Sequence, residues 1–242
     1  ELVDNQGFAK ALDQLEQRLI FGSYPEVINE SGQERRYLEL ISESYLYKDL
    51  LHQPGIRRVD LLQKILRALA YQLGNEVSYN ELSQTVSADK ITVERYIDLL
   101  EKAFVVFKLP SLNRNMRNEI KLGRKIYFWD NGVRNSLIAN FSPLSNRNDI
   151  DALWENFLVS ERKKSKHYGQ HYSNDYFWRT YRQQEIDYIE EANGKLNAYE
   201  FKFNPRKKGR FAKSFLEAYP NTSTETINKS NFLPFVTYRD SL

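Results

Sequence analysis

The sequence contains no cysteine, which excludes disulfide bridges and thiolate metal sites. This absence fits a reducing compartment, and we expect a cytoplasmic protein. The phosphate-binding motif GxxxxGK[ST] is also absent, so we expect this chain not to bind ATP. There is no signal peptide and no apolar run near the roughly 18 residues of a membrane-spanning helix, so we expect no membrane partner.

Charge of predominantly one sign is lacking as well. The 35 basic and 32 acidic residues give a net charge of +3, which is too balanced to require a nucleic-acid partner. Hydrophobic residues make up 41% of the chain and aromatic residues 14%, enough for packed cores. A length of 242 residues predicts two or three units. The chain begins with Glu rather than Met, which indicates a fragment.

The strongest local signal is a predicted β-hairpin. Two strand-like runs, IDYIEE and KLNAYEFKF, are joined at Asn193-Gly194, a pair typical of a two-residue type I′ turn. A turn of this length fixes the register and places Asp187 opposite Glu200. By the same register Glu185 faces Lys202. Because side chains alternate along a strand, we expect all four on one face of the sheet.

Neighbouring carboxylates at this position need a compensating charge. Two carboxylates about 5 Å apart on adjacent strands repel each other and destabilise the pair. A divalent cation would compensate, and so would the ammonium group of Lys202. Alternatively, both acids are solvated on an open sheet face, and Lys202 makes a surface ion pair with Glu185. The hairpin alone leaves these interpretations open.

The first half of the chain is predicted to contain two helical parts. Residues 1–58 show apolar residues at helical spacing, interrupted by FGSYPEV, and carry no obvious chemistry. Residues 59–140 are predicted to form a winged helix. Three helices, the second opened by a capping box at Ser78 and Glu81, precede the strands AFVVFKL and KIYFWD. Such a domain binds DNA or serves as a protein–protein module.

The charges of the predicted winged helix do not favour DNA contact by its third helix. The exposed face of that helix carries three acids and two cations, a poor match for phosphates. The basic residues lie instead in the predicted wing: Arg114, Arg117, Lys121, Arg124 and Lys125. DNA contact through the wing and a role in protein interaction are both open on this pattern.

Residues 141–242 are predicted to form a mixed α/β unit. A helix from Asp151 to about Lys166 precedes a strand that includes Tyr176 and the hairpin, and a helix and a strand close the unit. A basic run without any acid follows the hairpin, and its cations are Arg206, Lys207, Lys208, Arg210 and Lys213. This run is either a phosphate-binding surface or the solvated start of a helix.

Four motifs occur in a characteristic order: LIFGSYPEVI, ESYLYKDLL, KIYFWDNGVRNSL and YFWRT…EIDYIE…AYEFKF. Together they resemble the C-terminal region of prokaryotic AAA-type ATPases of uncertain function, and they cover nearly the whole chain. The resemblance implies an α+β multi-domain fold. Its parts would be a helical lid remnant of an ATPase domain (1–58), a winged helix (59–140) and a PD-(D/E)XK nuclease-like α/β domain with a mixed sheet (141–242). It also implies an ATPase domain in cis, which is missing here.

The nuclease resemblance implies roles for individual residues. Asp187 and Glu200 match the metal ligands, and Lys202 matches the catalytic lysine. Glu155 matches the acid on the preceding helix, which joins the catalytic and metal-binding set. Two supporting positions match as well: Arg179 and Glu185.

The turn before Glu185-Ile186-Asp187 departs from the pattern of the family that this chain resembles. Members often have a glycine there, whereas this chain has Arg182-Gln183-Gln184. The departure leaves the geometry of the loop open, but it does not affect the ligand positions.

The function expected from these residues is metal-dependent DNA cleavage or DNA binding, coupled in the full-length protein to ATP hydrolysis. Hard oxygen ligands suit Mg²⁺ or Mn²⁺. The alternative is a non-catalytic protein-interaction module that retains the nuclease fold. The intact set of acids with Lys202 favours the first interpretation. The near-neutral charge and the acidic third helix favour the second.

Overall fold

The computed structural model describes residues 2–30, 32–42, 58–112 and 123–237. Within these ranges the fold is α+β, with ten α-helices and two β-sheets, of which one is mixed. None of the helices described is long and apolar enough to cross a membrane. The motif ESYLYKDLL and the predicted wing residues Arg114, Arg117 and Lys121 lie outside the described residues.

The chain forms two compact units, each built from two stretches of sequence. The first unit comprises Glu1–Lys108 and Ile126–Asp149. The second comprises Leu109–Lys125 and Ile150–Leu242. Two strands therefore pass from one unit to the other, and the predicted three-part division at residues 58 and 140 stays a prediction.

The first unit is mainly helical. Its helices are α1 (Leu2–Phe21), α2 (Pro25–Asn29), α3 (Glu34–Leu40), α4 (Val59–Tyr71), α5 (Tyr79–Thr85), α6 (Lys90–Lys102) and α7 (Asn131–Leu137). A small sheet with the order β1-β3-β2 is formed by β1 (Glu76–Val77), β2 (Val106–Pro110) and β3 (Arg124–Phe128). The predicted cap of α5 is confirmed, because the Ser78 hydroxyl accepts a hydrogen bond from the Glu81 amide.

Two of the motifs interlock inside this unit. Gly22 has a φ of +78°, and a β-carbon there would lie 2.0 Å from the Asp130 carboxylate. That carboxylate accepts hydrogen bonds from the amides of Ser23 at 2.7 Å and Val133 at 3.0 Å, so it joins the turn after α1 to the start of α7. The side-chain amide of Asn135 donates to the carbonyls at the end of α1. These motifs therefore have a structural role.

The second unit is a four-stranded sheet with helices. Its elements are α8 (Ile150–Tyr168), β4 (Asn174–Arg179), β5 (Glu185–Ala192), β6 (Lys195–Phe201), α9 (Lys213–Ala218), β7 (Thr222–Ile227) and α10 (Phe232–Val236). The sheet order is β4-β5-β6-β7, with three antiparallel strands and β7 parallel to β6. One apolar cluster contains Ile189, Ala198 and Phe215, the last from α9. Another joins α8 to α10 through Trp154 and Phe232.

The hairpin has the predicted turn and register. Asn193 and Gly194 have φ values of 51° and 73°, as a type I′ turn requires. The pairs run from Ala192↔Lys195 to Tyr188↔Tyr199. Continued by one residue, this register brings Asp187 beside Glu200.

Strand β5 departs from the regular alternation of side chains at Asp187. Tyr176 pairs with Ile189 and Trp178 with Ile186, so Asp187 and the residue after it lie opposite the single residue Phe177. Such a bulge redirects side chains locally and is common beside functional sites. The prediction assumed that side chains alternate strictly along β5 and thereby placed Glu185 and Asp187 on one face. The bulge breaks that alternation at Asp187.

Candidate active site at the end of the β5–β6 hairpin

Asp187, Glu200 and Lys202 come together where β5 and β6 separate. The Lys202 ammonium lies 2.9 Å from Glu200 Oε2 and 3.7 Å from Asp187 Oδ2. Asp187 also accepts a hydrogen bond from the backbone: the Phe201 amide donates to Asp187 Oδ2 at 2.8 Å. The lysine is held in turn by its own backbone amide, which donates to the Ile227 carbonyl on β7. Two carboxylates and one ammonium group thus share one end of the sheet.

The electrostatics of this trio leave one carboxylate unusually basic. Glu200 is buried, and burial is the main reason that its pKa rises to about 7; the Asp187 carboxylate raises it further, while Lys202 opposes the rise. The pKa of Lys202 is also raised, because its two acidic neighbours outweigh its own desolvation. Additional positive charge is therefore favourable at this site.

A second pair of acids, Glu155 and Glu185, lies in the same unit and shares a different lysine, Lys125. The ammonium of Lys125 lies 2.7 Å from Glu155 Oε1 on α8 and 2.5 Å from Glu185 Oε1 on β5. The Lys125 side chain is only 1% exposed. Burial alone would lower the pKa of Lys125, but Glu155 and Glu185 outweigh it and the pKa is raised. The ammonium is therefore charged and held in place.

The position of Lys125 corrects its assignment to the basic surface of the wing. It follows Arg124 at the start of β3, and the residues after it are buried. Of the other wing cations, Arg124 is half-buried, and the remaining three lie outside the described residues. Sequence reasoning missed the role of Lys125. The available signal was a lysine directly before the apolar run IYFW, where a surface cation is out of place.

The turn before β5 keeps a glycine-like geometry without a glycine. Gln183 has a φ of 62°, in the left-handed region that favours glycine. The Thr180 amide donates to the Gln184 carbonyl and the Gln183 amide to the Thr180 carbonyl, both at 2.9 Å, which closes the turn. Arg179 hydrogen-bonds the Gln183 side chain and lies 3.5 Å from Glu185 Oε2. The departure seen in the sequence is therefore absorbed by backbone strain.

The basic run after β6 lies against the site. The backbone at Gly209 packs on the Glu200 side chain. All five cations of the run are exposed: Arg206, Lys207, Lys208, Arg210 and Lys213. The run begins with a turn in which the Lys207 amide donates to the Asn204 carbonyl at 3.0 Å, and α9 begins only at Lys213. These charges are available to a polyanion close to the carboxylates.

A separate network of buried charges fixes α8 to the sheet. Arg162 donates to both oxygens of Glu190, at 2.8 and 2.9 Å. Lys166 pairs with Asp175 and donates to the Tyr188 hydroxyl at 2.9 Å. Burial would raise the pKa of Glu190, but Arg162 outweighs it and holds the pKa below its usual value. Since these charges satisfy one another, we interpret the network as structural; the sequence did not predict it.

The oxygen donors fit a small hard cation at the first pair of acids. Within the described ranges, no group of three or more Asp, Glu or His side chains is arranged to hold a metal ion. Two carboxylates are enough for Mg²⁺, which usually binds through one or two and keeps several waters. Asp187 and Glu200 supply that pair, whereas Glu155 and Glu185 converge on Lys125.

Two protein families match this chain. The family described as a domain of unknown function, DUF8612, matches residues 12–144. A second, described as a domain of unknown function, DUF4143, matches residues 151–236. Domains of the second family are commonly found in the C-terminal region of AAA-ATPase-associated proteins. The second match contains the whole candidate site except Lys125.

Curated relatives match at low identity. An uncharacterized protein of Haemophilus influenzae is 26% identical over 125 residues, which are 49% of this chain and 31% of that protein. The uncharacterized protein Rv2008c of Mycobacterium tuberculosis is 28% identical over 162 residues, 66% of this chain and 36% of that protein. The matches thus span about a third of these relatives. No solved structure matches.

Proposed function

This chain belongs to the DUF8612 family. For its second unit, which contains the DUF4143 match, we propose the function of a metal-dependent DNA nuclease, a phosphodiester hydrolase that uses Mg²⁺ or Mn²⁺. In the full-length protein, an ATPase domain outside this chain couples the unit to ATP hydrolysis. The observation that carries the proposal is the convergence of Asp187 and Glu200 on Lys202 at the end of the hairpin.

The order of elements in the second unit supports the nuclease part of the proposal. A helix, three antiparallel strands, a helix and a strand parallel to the third follow one another, as expected for a PD-(D/E)XK-like unit. Asp187, near the start of the second strand, and Glu200, near the end of the third, lie at the same end of the sheet. A match to a domain common in AAA-ATPase-associated proteins supports the coupling.

The proposed DNA contacts involve the basic run and the predicted winged helix. Helix α4, strand β1, helices α5 and α6 and strands β2 and β3 follow the order of a winged helix. Two acids of its third helix, Asp98 and Glu101, pair with Lys108 of β2, which reduces their repulsion of phosphates. The basic run of the second unit supplies exposed cations beside the carboxylates. We assign most phosphate contacts to that run and to the wing.

Each side chain of the site has a defined part in the proposed reaction. Asp187 and Glu200 would hold the cation, and the Phe201 amide fixes the orientation of Asp187. When bound there, a divalent cation would supply Lewis-acid polarisation of a phosphate and a lowered pKa of bound water. Lys202, whose side chain is 29% exposed, is able to reach a phosphate oxygen and stabilise its developing charge.

A melting scan with and without Mn²⁺ tests the proposal, because a ligand that binds only the folded state stabilises it. At 100 times its dissociation constant, Mn²⁺ is expected to add about 2.7 kcal/mol. Asp187→Asn is expected to abolish that gain and the cleavage of plasmid DNA. Glu191→Gln, which neutralises another half-buried acid on β5, is the matched control and should retain both. A wild-type melting temperature that does not change up to millimolar Mn²⁺ would contradict the nuclease function.

A non-catalytic protein-interaction module is the second candidate. It is favoured by the neutralisation of the four acids within the protein itself, by Lys125, Lys202 and Arg179. In that case Lys202→Ala should destabilise the metal-free protein clearly, because two acids lose their shared cation. Added Mg²⁺ or Mn²⁺ should not restore stability. Restoration by metal would favour the nuclease.

A further inference from the structure

The four acids of the candidate site form two pairs that differ in the access of their lysine to solvent. Lys125 lies between Glu155 and Glu185 with 1% of its side chain exposed. Lys202 lies between Asp187 and Glu200 with 29% exposed. A lysine at the surface can move its ammonium group into water, whereas a buried one cannot do so without taking its charge away from both acids.

We propose that Lys125 is the permanent cation of the Glu155–Glu185 pair, so that the site takes one divalent cation, held by Asp187 and Glu200, rather than two. This inference rests on the proposed nuclease function. It makes Lys125 and Glu155 positioning residues, and it removes Glu155 from the ligand set that the family resemblance implies. The ligand class is a single hard divalent cation such as Mn²⁺ or Mg²⁺.

The surroundings of Lys125 hold its ammonium in place. Both carboxylate contacts are at most 2.7 Å, the length of a strong charge-assisted hydrogen bond. The ammonium also lies 5.6 Å from the centre of the Phe177 ring, within range of a cation–π contact. Ile126, the next residue, is 1% exposed, so the backbone at Lys125 leads into packed strand. Displacing this ammonium by a metal ion would require several of these contacts to break together.

The surroundings of Lys202 hold its ammonium less firmly. Lys202 follows the last residue of β6, its backbone amide donates to the Ile227 carbonyl, and its ammonium lies 2.9 Å from Glu200 Oε2. Its contact with Asp187 is 3.7 Å long, which is weaker than either contact of Lys125. The Asp187–Glu200 pair can therefore exchange its lysine for a metal ion while the Glu155–Glu185 pair keeps its own.

Calorimetric titration of the intact chain with Mn²⁺ tests this arrangement. The wild type is expected to bind one equivalent. Glu155→Gln is expected to bind one equivalent with an affinity within about threefold, because glutamine still accepts a hydrogen bond from Lys125. Asp187→Asn should lower the affinity by about 100-fold, since it removes a direct ligand. A reduction in Glu155→Gln as large as that in Asp187→Asn, or two equivalents in the wild type, would overturn the inference.

Lys125→Ala gives a readout that a merely structural residue would not change. Without metal its melting temperature should fall by about 10 °C or more, because two half-buried acids lose the cation between them. With Mn²⁺ it should bind two equivalents and recover part of that stability. Folded Lys125→Ala that binds only one equivalent would contradict the inference. If this variant does not fold even with Mn²⁺, the comparison of Glu155→Gln with Asp187→Asn decides.

The same titrations separate this inference from the nuclease function. If the wild type binds no Mn²⁺ and Lys125→Ala binds one equivalent, the assignment of Lys125 stands and the proposed metal site at Asp187 fails. If neither protein binds Mn²⁺, both proposals are overturned.

Discussion

Gly209 and Glu200 are in direct contact. A β-carbon at position 209 would lie 2.5 Å from the β-carbon of Glu200 and 2.6 Å from the hydroxyl of Thr226. The Gly209 amide donates to that hydroxyl at 3.1 Å, and Thr226 pairs with Glu200 in the sheet. The basic run is therefore fixed to the strand that carries a proposed metal ligand, and only glycine allows this approach.

Gly209→Ala should separate the run from the site. The added methyl group meets atoms near the backbone that cannot move aside, and we expect a decrease of about 1–3 kcal/mol in unfolding free energy. The affinity for Mn²⁺ should fall as well, because Glu200 is displaced. Chemical denaturation and calorimetry measure the two effects. Gly7→Ala is the control, since nothing lies within 4 Å of its β-carbon and its helix should gain stability.

Gln183→Gly should stabilise the protein. The left-handed conformation at Gln183 costs about 1–2 kcal/mol for a residue with a β-carbon. Glycine removes that cost but is more flexible in the unfolded chain, so the expected net gain is about 0.5–1 kcal/mol. Gln184→Gly, at the next position and without a positive φ, should destabilise instead. Equal effects of the two variants in denaturant titrations would show that the turn is not strained.

The stability of the metal-free protein should fall as the pH rises from about 5 to about 8. Burial, followed by the charge of Asp187, raises the pKa of Glu200 from 4.5 to about 7. The folded protein therefore keeps a proton there that the unfolded chain releases. This contribution is complete below the unfolded pKa and disappears as the pH passes through the folded pKa, with a decrease on the order of 2 kcal/mol.

Glu200→Gln should flatten this pH dependence, and Glu191→Gln should leave it unchanged. Saturating Mn²⁺ should remove it in the wild type, because a metal-bound carboxylate no longer takes up the proton. Thermal or urea unfolding at several pH values measures these slopes. Parallel curves for the wild type and Glu200→Gln would contradict the raised pKa of Glu200.

Neutralising the basic run should reduce the salt dependence of DNA binding. Arg206, Lys207 and Lys208 are exposed next to the proposed site. For every phosphate of duplex DNA that is no longer neutralised, the slope of log affinity against log salt should fall by about 0.9. Lys195→Ala, an exposed cation at the opposite end of the hairpin, should leave the slope unchanged. An unchanged slope in the triple variant would mean that the run is a solvated surface only.

The part of the site that the sequence predicts is the part fixed by local geometry. Asn193 and Gly194 determine the turn, the turn determines the register, and the register brings Asp187 to Glu200. Lys202 directly follows the second strand of the hairpin. No contact outside the hairpin is needed for this prediction, and the structure confirms the turn and the register.

The remaining features depend on contacts between distant parts of the chain. The bulge at Asp187 arises from the pairing of β5 with β4, and the sequence of β5 alone predicts an ordinary strand. Lys125 becomes an internal cation only because Glu155 and Glu185, 30 or more positions later, close around it. Hydrophobic periodicity carries no information about such partners. The winged-helix and nuclease-fold assignments and the ligand roles stay predictions.

The split composition of the second unit has a consequence for protein synthesis. Leu109–Lys125 leaves the ribosome well before Ile150–Leu242, although both stretches build this unit. Until the later stretch emerges, Lys125 lacks both carboxylates and Ser111 lacks its bridge to Phe177. Vectorial folding can therefore not complete this unit piece by piece. A phosphodiesterase assembled in this way would acquire its charge pattern, and any activity, only after the stretch Ile150–Leu242 has been synthesised.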